Sequence, residues 1–245
     1  MKHSDALAAD TRLLNNPIWS ALNTAQSQLA QGNSLAKRFP GDVAPFGGLI
    51  DQSAAAYDAL EEILPGAVTA LFLDAEPVLP GNWEMVHSGQ MYQMTCDQPI
   101  HVAGNPLLSE LTEADVPGML ALTKLTEPGP FLPRTIQLGA YFGIHQSGRL
   151  AAMAGERLHL TGFTEISAVC THPDFRGHGY GAILLSALIS RIKERGEVPF
   201  LHVRTENVHA IRLYEKSGLK VRARLHLAVV RHVGASVVPP GYNRG

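Results

Sequence analysis

Arg176-Gly177-His178-Gly179-Tyr180-Gly181-Ala182 is the stretch on which the reading of this chain turns. It lies between a strand expected at Glu165–Thr171 and an amphipathic helix expected at Tyr180–Arg195. Ile183, Leu184, Leu188 and Ile192 recur at helical spacing in that helix, and Gly196 stops it. Alternating glycines let the backbone approach a ligand and present successive N–H groups at a helix start, an anion site suited to a pyrophosphate. Arg176 adds a fixed cation able to contact phosphate in bidentate fashion. Gly177-x-Gly179-x-x-Ala182 also satisfies the dinucleotide fingerprint G-x-G-x-x-G/A. Three features oppose that second reading. Five residues, His172–Arg176, separate the strand from the first glycine; the next strand ends at Arg204 with no acid to hold a ribose; and only 64 residues follow Gly181.

Downstream of the loop, a strand is expected at Pro199–Arg204 and a helix at Asn207–Ser217, capped by Asn207 and ended by Gly218. A last strand covers Val221–Val230. Upstream, Ala140–His145 and Leu150–Leu160 read as strands joined by the turn Gln146-Ser147-Gly148. Thr126–Pro133 is too rich in Pro and Gly for either state, Leu107–Leu111 reads as a strand, and the Thr112–Asp115 box opens a helix. From about 105 onward the order is β, α, loop, three strands, then α, β, α, β: an α/β layer structure with a mixed sheet. Residues 1–104 are expected to form a smaller N-terminal α/β domain without catalytic motifs, and 105–245 the catalytic one. The N-terminal part holds a helix from Asn16-Pro17 to about Gln31, a second at Ala54–Ile63, and extended runs at Val68–Leu73 and Glu84–Thr95. Its nearest glycine string, Arg38–Val43, does not repeat the loop pattern at its last position.

The composition allows a sizeable core, with 45% hydrophobic and 17% charged residues among 245, and excludes wholesale disorder. No window reaches the ~18 apolar residues of a membrane span, and the start MKHSDALAADTRLL lacks the apolar run of a signal peptide. A cytoplasmic protein is expected. Cys96 and Cys170 supply no disulfide framework and no CxxC pair, and none of the eleven histidines falls in an HxxxH or HExxH pair, so no metal is expected. Cys170 alternates away from Glu165 and reads as core. Charge is uneven along the chain. Residues 176–245 hold 12 Lys+Arg against 4 Asp+Glu, whereas residues 1–175 hold 8 against 18. A basic C-terminal block is the arrangement expected where a polyanion docks, either a phosphorylated small molecule or a nucleic acid. No exposed aromatics interleave with the basic residues, which counts against nucleic acid.

Arg176, Gly179 and Gly181 fill the pattern R/Q-x-x-G-x-G/A, which resembles the acyl-CoA pyrophosphate loop of the GNAT acetyltransferase superfamily. Asn207-x-x-Ala210-x-x-Leu213-Tyr214-x-x-x-Gly218-Leu219 is similar to the helix that follows the fifth strand of that fold, with Leu219 where Phe is commoner. Glu165–Gly181 (EISAVCTHPDFRGHGYG) particularly resembles the branch related to glycine N-acyltransferases. The resemblance spans roughly 105–232. It implies a central mixed, largely antiparallel sheet flanked by helices, with the N-terminal segment as a degenerate half of the same fold.

The implied reaction moves an acetyl or longer acyl group from acetyl-CoA to a primary amine by direct attack on the thioester. A small molecule or amino acid is the expected acceptor, and the protein is expected to be a monomer or homodimer that binds no membrane. Arg176, Gly177, His178, Gly179, Tyr180, Gly181 and Ala182 would hold the cofactor phosphates, with Val169 and Thr171 pairing through their backbone to the pantetheine arm. The Val169 N–H would receive the developing oxyanion. Tyr214 would protonate the leaving thiolate, and Asn207, two helical turns earlier on the same face, would both cap the helix and bond the cofactor arm. Glu165 is the candidate base, with Glu127 and Glu156 as other acids able to bind the amine. The competing class is a non-catalytic acyl-CoA-binding regulator, indifferent to changes at Tyr214 and Glu165.

Overall fold

The computed structural model describes residues 10–64, 67–97 and 107–233. In chain order its elements begin with α1 (Pro17–Asn23), β1 (Gln31–Gly32), β2 (Ala36–Arg38), β3 (Gly47–Leu49), α2 (Ala54–Ile63), β4 (Val68–Leu73) and β5 (Trp83–Thr95). They continue with β6 (Leu108–Leu111), α3 (Val116–Thr126), β7 (Tyr141–Gln146), β8 (Arg149–Leu160), β9 (Phe163–Thr171), α4 (Tyr180–Glu194), β10 (Val198–Arg204), α5 (Val208–Lys216) and β11 (Lys220–His232). Eight strands form one mixed sheet in the order β4-β11-β5-β10-β9-β8-β7-β6. Only β9 and β10 run parallel in it; the other neighbours are antiparallel. Among the described residues no helix is long and apolar enough to cross a membrane.

Strand alternation divides the core into two faces. Ala152 and Ala154 of β8, Ile166 of β9 and Leu201 of β10 pack with Leu184, Leu188 and Ile192 of α4. Met153, between the two alanines, points the other way and meets Met119 and Leu122 of α3. That second face also receives Ile18 and Leu22 of α1 with Phe39 and Phe46, against Phe72, Phe163 and Phe200. On α4 the apolar stripe is wider than the spacing predicts. Leu185 and Ile189 are buried as well, whereas Ile183 is only half-buried.

Two departures from the expected order occur before residue 98. The helix expected to reach Gln31 stops at Asn23, because the Thr24 hydroxyl donates back to the Ser20 carbonyl at 2.7 Å and Thr24 leaves helical dihedrals. Gln26 then turns into the core. Its amide donates to the carbonyls of Arg157 (2.8 Å) and Leu138 (3.2 Å), and its carbonyl accepts from His159 N–H. The Arg157 and His159 groups lie where β8 shifts register against β9, between Glu156 and His159, so a side chain from the N-terminal segment completes an irregular strand.

The second departure concerns the division of the chain. The boundary expected at 104/105 lies outside the described residues, but strands cross it: β5 sits between β10 and β11, and β11 pairs only with β5 and β4 among the described residues. The N-terminal segment therefore supplies two strands of the same sheet.

Candidate active site

β9 and β10 are hydrogen-bonded neighbours only over Val198–Phe200 against Phe163–Glu165. Beyond that point β10 pairs with β5 from Phe200 to Arg204, and β9 stays on β8. A fork opens between two parallel strands, floored by the sheet's own divergence. Within its β9 arm the register against β8 shifts between Met153/Cys170 and Gly155/Ser167, leaving one extra residue on β9. Ala168 occupies that bulge with φ of 53°, a left-handed conformation that costs an alanine roughly 1–2 kcal/mol. Strain of this kind persists where surrounding structure over-determines it.

At the open end of the fork stands the glycine stretch. After β9 the chain makes a short 3-10 turn at Pro173–Phe175, reaches exposed Arg176, and enters α4 at Tyr180. Gly177 and Gly179 hold φ of 84° and 77°, and nothing stands within 4 Å of where a Cβ would lie on either. Thr171, Phe175, Arg176, Gly177, Gly179, Tyr180, Gly181, Ala182 and Leu213 line a groove of about 380 Å³. Gly181 allows a close approach instead: a Cβ there would meet Leu213 of α5 at 3.2 Å. His178 is turned aside, with Nδ1 3.1 Å from the carbonyls of Phe175 and Arg176 and its ring stacked on Tyr180. Its Nδ1 therefore carries the proton and braces the loop. Arg176 makes no ion pair among the described residues, so its guanidinium is available to an anion.

Asn207 caps α5, its side chain accepting from Ala210 N–H at 3.2 Å. Tyr214, two turns further on, is buried among the residues under α4. Burial, with a smaller push from nearby Cys170, raises its phenol to about 12, so it keeps its proton across the physiological range. Burial likewise pushes the Cys170 thiol up to about 11, which suits a core residue.

Glu165 stands at the point where the fork divides, and its surroundings were invisible in the sequence. Arg157 grips it with two bonds, Nε to Oε2 at 2.8 Å and Nη2 to Oε1 at 2.6 Å. His202 Nδ1 lies 2.6 Å from Oε1, and Glu165 is fully buried. Burial alone would raise its carboxyl; the Arg157 charge and the hydrogen bonds from Arg157 and His202 outweigh it and hold the group at about 2. That is not the environment of a proton acceptor. The other acids differ from it and from each other. Glu127 is exposed in a left-handed cap at the end of α3, and Glu156 is buried against Arg195 at 2.9 Å. Neither is among the residues that line the groove.

Arg157, His202 and Gln93 are the residues that sequence reasoning passed over. Arg157 sits in a strand that reads as ordinary alternation, and no local pattern ties it to Glu165 eight residues away across a hairpin.

A protein-family model described as FR47-like protein matches residues 141–227. A search of the curated proteins gives no match. Among solved structures, a GNAT-family protein from Novosphingobium aromaticivorans is 34% identical, with 89% of this chain and 98% of that one covered and a TM-score of 0.84. A GCN5-related N-acetyltransferase from Kribbella flavida, 15% identical, covers 91% of this chain and 96% of its own at a TM-score of 0.59, a likeness of fold. With a forked pair of parallel strands, an open glycine loop at a helix start, and a relative of that identity over nearly its full length, this chain belongs to the GNAT family of acetyltransferases.

Proposed function

We propose that this protein transfers an acetyl or similar acyl group from acetyl-CoA to the primary amine of a small molecule or amino acid, as cytoplasmic enzymes of the branch related to glycine N-acyltransferases do. The observation that carries the reading is the open groove around Arg176–Ala182, whose lining takes in Thr171 at the end of the β9 arm that has left β10. Backbone N–H groups from Gly177 to Gly181 and Arg176, which has no ion pair among the described residues, would bind the pyrophosphate, with Tyr180 and His178 bracing the loop and Ala182 lining it, its own N–H spent on the Gly179 carbonyl at 3.0 Å. Val169 and Thr171, on the arm of β9 that has left β10, would bond the pantetheine arm as an added strand does. The Val169 N–H, next to the bulge at Ala168, would donate to the developing oxyanion; such a donor is worth about 2.7–4 kcal/mol in the transition state.

Tyr214 would act on the departing sulfur. With its phenol near 12 and a thiol near 8.5, complete proton transfer to the thiolate is uphill, so the hydroxyl stabilises the leaving group chiefly by donating a hydrogen bond. Asn207 would serve as cap and as a contact for the arm. The amine's proton leaves to solvent, since Glu165 is held ionised within its ion pair. The N-terminal segment, which covers the sheet face opposite α4, would shape the acceptor side.

A panel of primary amines, assayed by release of free thiol from acetyl-CoA, tests this. Wild type should turn over at least one amine, and Tyr214→Phe should lower kcat by about 100-fold while the KM for acetyl-CoA stays within about twofold. Thiol release by no amine, with acetyl-CoA still bound, would mark a non-catalytic acyl-CoA-binding protein.

A further inference from the structure

The fork has a buried side-chain clasp at its apex. The last backbone pair between β9 and β10 is Phe200 with Glu165; His202 is on the diverging arm of β10, past that pair. The 2.6 Å contact between His202 Nδ1 and Glu165 Oε1 bridges the two arms just where backbone bonding ends. Each partner is itself held from behind. Glu165 is gripped by Arg157 from β8, whose guanidinium lies over the rings of Phe46 and Phe72. His202 stands opposite Gln93 of β5 in register, with its Nε2 3.1 Å from the Gln93 amide nitrogen.

The proton on His202 follows from its neighbours. Gln93 Nε2 donates one hydrogen to the Leu14 carbonyl at 2.9 Å, and Gln93 Oε1 accepts from Arg222 at 2.8 Å. The second amide hydrogen faces His202 Nε2, which therefore accepts; the ring hydrogen is on Nδ1 and is donated to Glu165. Every member has a defined direction, so the chain Arg157–Glu165–His202–Gln93 permits one arrangement of the two strands. A backbone ladder fixes strand separation by itself; here the ladder has stopped, and the clasp takes its place for the first step of the divergence.

We propose that Glu165 and His202 are positioning residues that set the opening of the fork, so that an inserted acyl-pantetheine arm meets a gap of fixed width. The proposal rests on the acyltransferase reading above. The clasp is remote from the glycine loop, which predicts that arm binding and phosphate binding respond to it separately.

Titration calorimetry with acetyl-CoA and with ADP, which has the pyrophosphate and no arm, tests this in the full chain. His202→Leu should lose about 10-fold in acetyl-CoA affinity and bind ADP as wild type does. His202→Asn, whose side-chain amide can donate to Glu165 from the position of Nδ1, should recover most of the loss. Equal acetyl-CoA affinity in wild type and His202→Leu would overturn the proposal, as would parallel loss of both ligands or failure of His202→Asn to rescue. If His202→Leu does not fold, Gln93→Met carries the test: about threefold weaker acetyl-CoA with ADP unchanged supports the clasp, and unchanged acetyl-CoA overturns it. Wild type that binds ADP and acetyl-CoA equally well overturns the fork as an arm site; wild type that binds neither overturns the acyltransferase reading beneath it.

Discussion

A chain cut to residues 107–245 is expected to be insoluble or unfolded. Both sheet neighbours of β11 come from residues before 98: β5 pairs with it along nearly its whole length and β4 flanks its other edge. Removing them leaves β11 without a partner and exposes the β10 edge, a template for aggregation. The face opposite α4 would also lose Ile18, Leu22, Phe39, Phe46 and Phe72 from over Phe163 and Phe200. At roughly 1.5–3 kcal/mol for each large apolar side chain, that loss alone matches a typical net stability of about 5–15 kcal/mol. Two polar tethers would go with it, Gln26 on the β8 irregularity and Gln93 on His202. Expression and circular dichroism of the truncated chain check this. A soluble, cooperatively melting 107–245 fragment would show that the C-terminal part is a domain in its own right.

Glu165→Ala is expected to destabilise the fold by about 3–5 kcal/mol, because it takes away the buried carboxylate that both Arg157 and His202 bond. The sign of the accompanying pH effect follows from the direction of the shift. In the fold the carboxyl titrates near 2, below its ordinary 4.5, so its contribution is complete above about pH 4.5 and is lost as pH falls towards 2. The shift corresponds to about 3 kcal/mol. Urea midpoints at pH 7, 4 and 3 measure it: wild type should lose stability on acidification more steeply than Glu165→Gln, the difference amounting to about one proton. Parallel acid profiles for the two proteins would mean that the ion pair does not contribute to stability as described.

What the sequence disclosed and what it hid have physical causes. Local signals were legible. The Thr112–Asp115 capping box, the Asn207 cap and the helix start at Tyr180 are all formed where the residues place them, because caps and glycine turns act within three or four positions. The glycine groove was legible for the same reason, as one contiguous string. Long-range pairing was not. Nothing in Trp83–Thr95 indicates that it will insert between two strands from the far end of the chain, since alternation specifies a strand's faces and leaves its neighbours open. The status of Glu165 was hidden likewise: a glutamate at a strand start looks available to substrate until Arg157 and His202, from two other strands, close on it. The first helix ended early because Thr24 and Gln26 spend their polar groups on partners more than a hundred residues away or back on the helix, a competition that apolar spacing does not register.

The Arg176–Ala182 loop is expected to bind acetyl-CoA through its phosphates. Calorimetric titration of acetyl-CoA into wild type and into Arg176→Ala tests it most directly. A charge-assisted hydrogen bond of about 1.5–3 kcal/mol predicts that wild type binds and that Arg176→Ala binds roughly 10- to 100-fold more weakly, with its melting temperature without ligand unchanged because Arg176 is exposed. No heat of binding to wild type at millimolar acetyl-CoA, or equal affinity in the two proteins, would contradict it.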